Sequence, residues 1–79
     1  MTHALHLYGR RDCHLCAEMR DALAAWPAPL AIVETDVDDD AELVRRFGAR
    51  VPVLVAPDGT EICHYFLDPE ALQQHLDTP

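Results

Sequence analysis

The fold of this chain is decided by residues 7–16, which read Leu-Tyr-Gly-Arg-Arg-Asp-Cys-His-Leu-Cys. A short apolar run over residues 4–8 predicts a strand, and residues 9–12 break it. Four apolar residues then recur at helical spacing and form one stripe: Cys16, Met19, Leu23 and Trp26. The stretch therefore places a Cys-X-X-Cys pair between a strand and the start of a helix.

The rest of the chain continues the alternation of strand and helix. Pro27 and Pro29 end the first helix, and residues 30–37 predict a buried second strand. Asp39 and Glu42 have the spacing of a capping box. The second helix carries its apolar residues at Leu43, Val44 and Phe47, with Gly48 as the residue that ends it.

The last third of the chain predicts a hairpin followed by a helix. Residues 51–55 form the third strand, residues 57–60 a turn, and residues 61–66 the fourth strand. Asp68 followed by Pro69 predicts the start of a final helix, whose Leu72 and Leu76 face inward.

These elements predict an α/β fold with the order β-α-β-α-β-β-α. The two β-α units imply parallel strands joined by a right-handed crossover, whereas the tight turn implies an antiparallel hairpin. We expect a four-stranded mixed sheet flanked by helices, in one domain spanning residues 1–79.

Charge and cysteine content exclude several classes of protein. The net charge is −8, from 14 acids and 6 bases, so we expect no nucleic-acid or membrane partner. We see no signal peptide and no apolar run long enough to span a membrane. Three cysteines are an odd number, whereas a secreted disulfide scaffold usually carries an even and denser set, so we expect a cytoplasmic protein. We also expect it to be a monomer. The six acids in residues 34–42 favour a solvated loop, with a docking surface for a basic partner as the alternative.

The cysteine pair has a chemical reason to lie at a helix start. Unpaired N–H groups and the helix dipole stabilise a thiolate at Cys13 and lower its pKa, which makes it the attacking residue. Cys16 lies one turn later, on the inner stripe, and resolves the mixed disulfide. Protonated His14 would favour the thiolate further.

Three arginines are expected to make the surroundings of this pair basic. If the loops meet as predicted, Arg10, Arg11 and Arg50 lie near Cys13 and suit a small anionic thiol such as glutathione. The alternative is that these arginines are solvated loop charges.

Two other interpretations of the cysteines stay open. Cys13, Cys16, Cys63 and His64 offer four zinc ligands, but adjacent residues in a strand point to opposite faces, so we predict no metal site. The pair could instead belong to a binding module without turnover, or be inert core cysteines.

The chain resembles the glutaredoxin-like branch of the thioredoxin superfamily. The resemblance rests on residues 7–16, on the order of elements, and on Arg50-Val51-Pro52-Val53, and it covers essentially the whole chain. It implies thiol–disulfide exchange, with Cys13 as nucleophile and Cys16 as resolving thiol. It also implies that the Val51–Pro52 bond is cis and lies against the cysteines, where the backbone of Val51 pairs with a substrate.

Two departures from that family bear on the substrate. Arg50 stands where glutaredoxins typically have Thr, and Tyr65-Phe66-Leu67-Asp68 stands where they have two glycines before an Asp. Asp68 is still able to cap the helix and meet an ammonium group. We therefore expect no tightly bound cofactor, glutathione only as a candidate co-substrate, and a disulfide-containing protein or glutathione mixed disulfide as partner.

Overall fold

The computed structural model of the chain describes residues 4–77, and within that range it contains four strands and three helices. The strands are β1 (Leu5–Gly9), β2 (Ile32–Asp36), β3 (Val53–Val55) and β4 (Glu61–His64). The helices are α1 (His14–Ala24), α2 (Ala41–Phe47) and α3 (Pro69–Asp77). Two 3-10 turns, Val37–Asp39 and Gly48–Arg50, flank α2. The predicted order β-α-β-α-β-β-α is confirmed.

The strands form one mixed sheet in the order β2-β1-β3-β4. β1 and β2 are parallel, whereas β3 is antiparallel to both β1 and β4. In the register of this sheet Tyr8 lies opposite Val53, which lies opposite His64. The α/β architecture expected from the sequence, a four-stranded mixed sheet flanked by helices, is therefore present.

Side chains alternate between the two faces of the sheet and build a core on each. The first core joins strand residues to α1 and α3, and its buried members are Leu5, Leu7, Met19, Leu23, Leu54 and Leu72. The second core lies on the α2 side, and its buried members are Val37, Phe47, Val53 and Val55. Alternating sides along a strand explain why neighbours such as Val53 and Leu54 belong to different cores.

Three predicted details of the strands and the last helix were wrong. β2 is an edge strand rather than a buried one, and Val33 on it is 45% exposed, because β2 pairs with a neighbour on one side only. β4 ends at His64 because Tyr65 adopts a positive φ of 64°, which no strand residue has. Leu76 is exposed, so Leu72 is the residue that anchors α3.

α2 ends before Gly48 as predicted, but its N-cap and the conformation of Gly48 differ from the prediction. The N-cap is Asp40 instead of Asp39, since Oδ1 of Asp40 accepts the N–H of Glu42 over 2.8 Å. Gly48 has φ −53° and ψ −35°, which is right-handed backbone. The chain therefore continues from α2 into the second 3-10 turn without a left-handed residue.

Within residues 4–77, no helix is long and apolar enough to cross a membrane.

Candidate active site

Cys13 and Cys16 form a disulfide at the N-terminus of α1. Their Cα atoms are 5.1 Å apart. Cys13 is the N-cap residue, with extended backbone at φ −117° and ψ 109°, and its Sγ accepts the N–H of Cys16 over 3.1 Å. The predicted position of the pair is confirmed, and Sγ of Cys13 occupies the place where a capping side chain satisfies a free helix N–H.

The two cysteines differ in accessibility. Cys16 is 1% exposed and lies on the buried stripe of α1 with Met19 and Leu23, while Cys13 is partly exposed. Cys16 packs against Gly9 in β1, where a Cβ atom would lie 3.1 Å from Sγ of Cys16. A partner therefore reaches Cys13 more readily than Cys16.

The Val51–Pro52 peptide bond is cis, as the resemblance implied. Tyr8 lies opposite Val53, so the next positions, Gly9 and Pro52, come side by side where β1 ends and β3 begins. Neighbouring strands are about 4.8 Å apart. Because Cys16 packs on Gly9, the sheet register brings the cis-proline close to the disulfide.

Tyr65 was missed as a site residue because the sequence assigned it to the fourth strand. Its N–H donates to the carbonyl of Pro52 over 2.9 Å, and its hydroxyl donates to the carbonyl of Ala49 over 3.1 Å. Both acceptors lie within the segment that carries the cis bond. An aromatic residue in left-handed backbone has no local sequence signal, since glycine is the residue expected there.

Each of the three arginines expected near the pair has an acidic partner. Nε of Arg10 is 3.1 Å from Oδ1 of Asp38, and Nε of Arg11 is 3.6 Å from Oδ2 of Asp36. Nη1 of Arg50 bonds to Oε1 of Glu61. These carboxylates offset much of the positive charge that the sequence led us to expect.

His14, Arg11 and Asp68, all candidate substrate-binding residues, have different surroundings. His14 and Arg11 lie at the surface beside the cysteines, with side chains 89% and 87% exposed. Nε2 of His14 is 3.8 Å from Oε2 of Glu18. Asp68 caps α3, since its Oδ1 accepts the N–H of Ala71 over 3.1 Å. The capping role foreseen for Asp68 is confirmed, and the substrate-binding roles stay predictions.

Cys63 lies apart from the disulfide, half-buried beside the core under α3. Burial raises the pKa of its thiol; the N–H of Asp68 opposes that rise, and the carboxylates of Asp68 and Glu61 add to it. Nδ1 of the neighbouring His64 is 2.8 Å from Oε2 of Glu61. Among residues 4–77, no three His, Cys, Asp or Glu side chains come together to hold a metal ion, so the four zinc ligands considered above are not assembled.

Comparison with known proteins identifies the relatives of this chain. Residues 4–77 match the model of the family described as "Glutaredoxin-like domain (DUF836)". No curated protein matches.

Solved structures of similar chains cover nearly the whole length. The solution NMR structure of protein Ne2328 from Nitrosomonas europaea has 35% identity, covers 95% of this chain and 92% of its own, and has a TM-score of 0.84. The X-ray structure of protein XcR50 from X. campestris has 43% identity, 95% and 99% coverage, and a TM-score of 0.77.

A third similar structure is a crystal structure of a mutant of the thioredoxin-like protein BC3987. It has 27% identity, covers 92% of this chain and 99% of its own, and has a TM-score of 0.64. The family match spans the fold, the Cys13–Cys16 pair and the cis-proline segment together. The chain belongs to the glutaredoxin-like family of thioredoxin-fold domains.

Proposed function

We propose that the protein is a dithiol thiol–disulfide oxidoreductase, with Cys13 as the nucleophile and Cys16 as the resolving thiol. The single observation that carries this proposal is the position of Sγ of Cys13. It caps α1, accepts the N–H of Cys16, and is joined to a partner that is 1% exposed. A helix N-terminus stabilises a thiolate at this position, so reduced Cys13 reacts at neutral pH as an anion.

The exchange begins from the reduced pair. The Cys13 thiolate attacks one sulfur of a substrate disulfide, forms a mixed disulfide and releases the other substrate sulfur as a thiolate. Cys16, deprotonated, then attacks Sγ of Cys13 and releases the second substrate thiolate. Two electrons have passed to the substrate, each released thiolate takes up one proton, and the Cys13–Cys16 disulfide remains. A thiol reductant returns the pair to the reduced state by the reverse steps.

The surroundings of the pair support docking of an extended substrate. Val51 and Pro52 present a cis peptide bond beside the disulfide, and Arg11 and His14 lie exposed next to it. Substrate backbone would pair with Val51, as an added strand pairs with a sheet edge. We propose a disulfide-containing polypeptide or a glutathione mixed disulfide as the substrate.

The reactivity of Cys13 tests this proposal directly. Alkylation of the reduced protein by iodoacetamide is followed against pH in the wild type and in Cys16→Ser, and the reduction potential is measured in glutathione buffers. We expect Cys13 to be alkylated with a pKa below the ordinary value of about 8.5, and the pair to oxidise reversibly. Ordinary thiol reactivity together with a pair that never oxidises would show that the proposal is wrong.

A separate experiment tests whether Asp68 binds the ammonium group of a glutathione substrate. Rates are measured with a glutathione mixed disulfide and with a peptide disulfide, in the wild type and in Asp68→Asn. Asn caps helices as well as Asp does, so this variant keeps α3 while removing the charge. A selective loss with the glutathione substrate would show that Asp68 meets its ammonium group, while equal rates would limit Asp68 to capping.

A further inference from the structure

Arg10 lies in the loop of residues 10–13, which ends at Cys13 and is called the cysteine loop below. Its side chain joins this loop to both 3-10 turns around α2. Its Nε donates to Oδ1 of Asp38 over 3.1 Å, and its Nη1 donates to the carbonyl oxygen of Gly48 over 3.0 Å. The side chain is 36% exposed, compared with 87% for the adjacent Arg11. Arg10 thus makes two hydrogen bonds to distant residues, whereas the exposed Arg11 makes a longer ion pair, with its Nε 3.6 Å from Oδ2 of Asp36.

Gly48 makes room for this contact. Its backbone is right-handed, so its conformation does not require glycine. A Cβ atom at this position would lie 3.0 Å from Nη2 of Arg10 and 3.3 Å from Cγ1 of Val44. The missing side chain at Gly48 allows the guanidinium of Arg10 to lie against the turn and reach its carbonyl.

The turn that receives Arg10 leads directly to the cis-proline. Gly48–Arg50 is followed by Val51 and Pro52, and Tyr65 donates hydrogen bonds to the carbonyls of Ala49 and Pro52. The segment 48–52 is thus held by Arg10 from the cysteine loop and by Tyr65 from the loop between β4 and α3. Arg10 therefore links this segment directly to the loop that carries Cys13.

We propose that Arg10 is a positioning residue for disulfide exchange, which holds the cysteine loop and the segment 48–52 in register with each other. The inference rests on the proposed function. A docked substrate would touch both parts, with its sulfur at Cys13 and its backbone at Val51. To form the mixed disulfide, the Cys13 thiolate must meet the substrate sulfur at the right distance and angle. A shift of the cysteine loop relative to the segment 48–52 therefore lowers the rate for docked substrates.

This role has a signature that separates it from a purely electrostatic one. A small alkylating agent needs only the Cys13 thiolate, whereas a peptide disulfide also needs the docking segment at the right distance. Loss of Arg10 should therefore slow peptide reduction while leaving alkylation nearly unchanged.

The experiment compares Arg10→Met, Arg10→Lys and Gly48→Ala with the wild type. Arg20→Met is the matched control, because Arg20 also forms a long-range ion pair, with its Nε 2.8 Å from Oε1 of Glu34. Steady-state reduction of a fluorogenic peptide with one disulfide, and the pH profile of iodoacetamide alkylation, are measured for each variant. Thermal melts establish that each variant is folded at the assay temperature.

We expect Arg10→Met to lower kcat/KM for the peptide about tenfold, mainly through kcat, because the peptide still docks but its disulfide is misplaced relative to Cys13. Alkylation should keep its pH profile and stay within about twofold of the wild type. Arg10→Lys should have a kcat/KM between those of the wild type and Arg10→Met, since a lysine lacks the forked guanidinium that reaches both partners. Gly48→Ala should act in the same direction, and the double variant Arg10→Met/Gly48→Ala should be no worse than Arg10→Met alone.

Several results would overturn the inference while the proposed function stands. These are a wild-type kcat/KM in Arg10→Met, an equal loss in Arg20→Met, additive losses in the double variant, or a parallel fall in alkylation. A wild-type protein that reduces no disulfide would instead overturn the proposed function, and the inference with it.

Discussion

Gly9 and Cys16 are packed so closely that a methyl group on the strand residue would crowd the cysteine. A Cβ atom on Gly9 would lie 3.1 Å from Sγ and 3.3 Å from Cβ of Cys16. Since Cys16 is almost fully buried and bonded to Cys13, it has little freedom to move away. Cys16 is thus held against β1, below the surface of the protein.

Gly9→Ala should therefore destabilise the oxidised protein. We expect the free energy of unfolding to fall by about 1 kcal/mol, because overpacking outweighs the gain from removing a glycine in a strand. Denaturant melts measure the change. Under reducing conditions, the same substitution in a Cys16→Ala background should cost less, because Sγ is gone; an equal cost there would show that the contact is not the cause.

Tyr65 should tolerate glycine better than alanine. Both substitutions remove the ring and its hydroxyl bond to Ala49, but only alanine keeps a Cβ at a φ of 64°. We expect Tyr65→Gly to be more stable than Tyr65→Ala by about 1 kcal/mol. Gln73 in α3 gives the matched comparison, since there the glycine variant should be the less stable of the two by about 1 kcal/mol. The same order at both positions would contradict the prediction.

Glu61 should contribute to stability in a pH-dependent way. Partial burial raises the pKa of its carboxyl, but hydrogen bonds and opposite charge from His64 and Arg50 outweigh this and lower the pKa overall. A carboxyl with a lowered pKa in the folded state stabilises the protein above its unfolded pKa, and that stability is lost as the pH falls through the folded value.

Urea melts over a series of acidic pH values test the effect of Glu61. Glu61→Gln should be less stable than the wild type near neutral pH, and the difference should shrink below pH of about 4.3, the ordinary value for Glu. Arg50→Met should weaken the pH dependence in the same window. A constant difference between wild type and Glu61→Gln at all pH values would contradict this explanation.

In the reduced protein, the thiol of Cys63 should react more slowly than that of Cys13. Burial raises the pKa of its thiol, and nearby carboxylates raise it further, so little thiolate is present at neutral pH. Brief iodoacetamide treatment followed by peptide mass spectrometry should find the label on Cys13 well before Cys63. Cys63→Ser should keep the wild-type rate of disulfide exchange, and a large loss of rate in that variant would give Cys63 a role that we do not assign.

The sequence predicted those features whose signals are local. The apolar stripe of α1, the prolines after it and Asp68 before Pro69 each specify an element within a few residues. The position of Cys13 at the start of α1 follows from the same patterns. The cis bond at Pro52 came from the resemblance alone, since most X–Pro bonds, including those at strand starts, are trans.

The sequence did not predict features that depend on distant partners. β2 is exposed because the sheet order puts it at an edge, and apolar periodicity does not encode that order. The acids that pair with Arg10 and Arg50 lie 28 and 11 residues away. Gly48 is explained by Arg10, 38 residues earlier in the chain, and not by the conformation of its own backbone.

The unequal burial of the two cysteines also has a kinetic consequence. Cys16 is 1% exposed, so in the proposed exchange both an electron donor and an electron acceptor would have to react at Cys13. An electron donor and an electron acceptor would therefore compete for the same exposed sulfur atom. If the proposed exchange takes place, it must work by alternation: the reduced product has to leave Cys13 before the reductant can attack it, so an excess of either partner slows the reaction of the other.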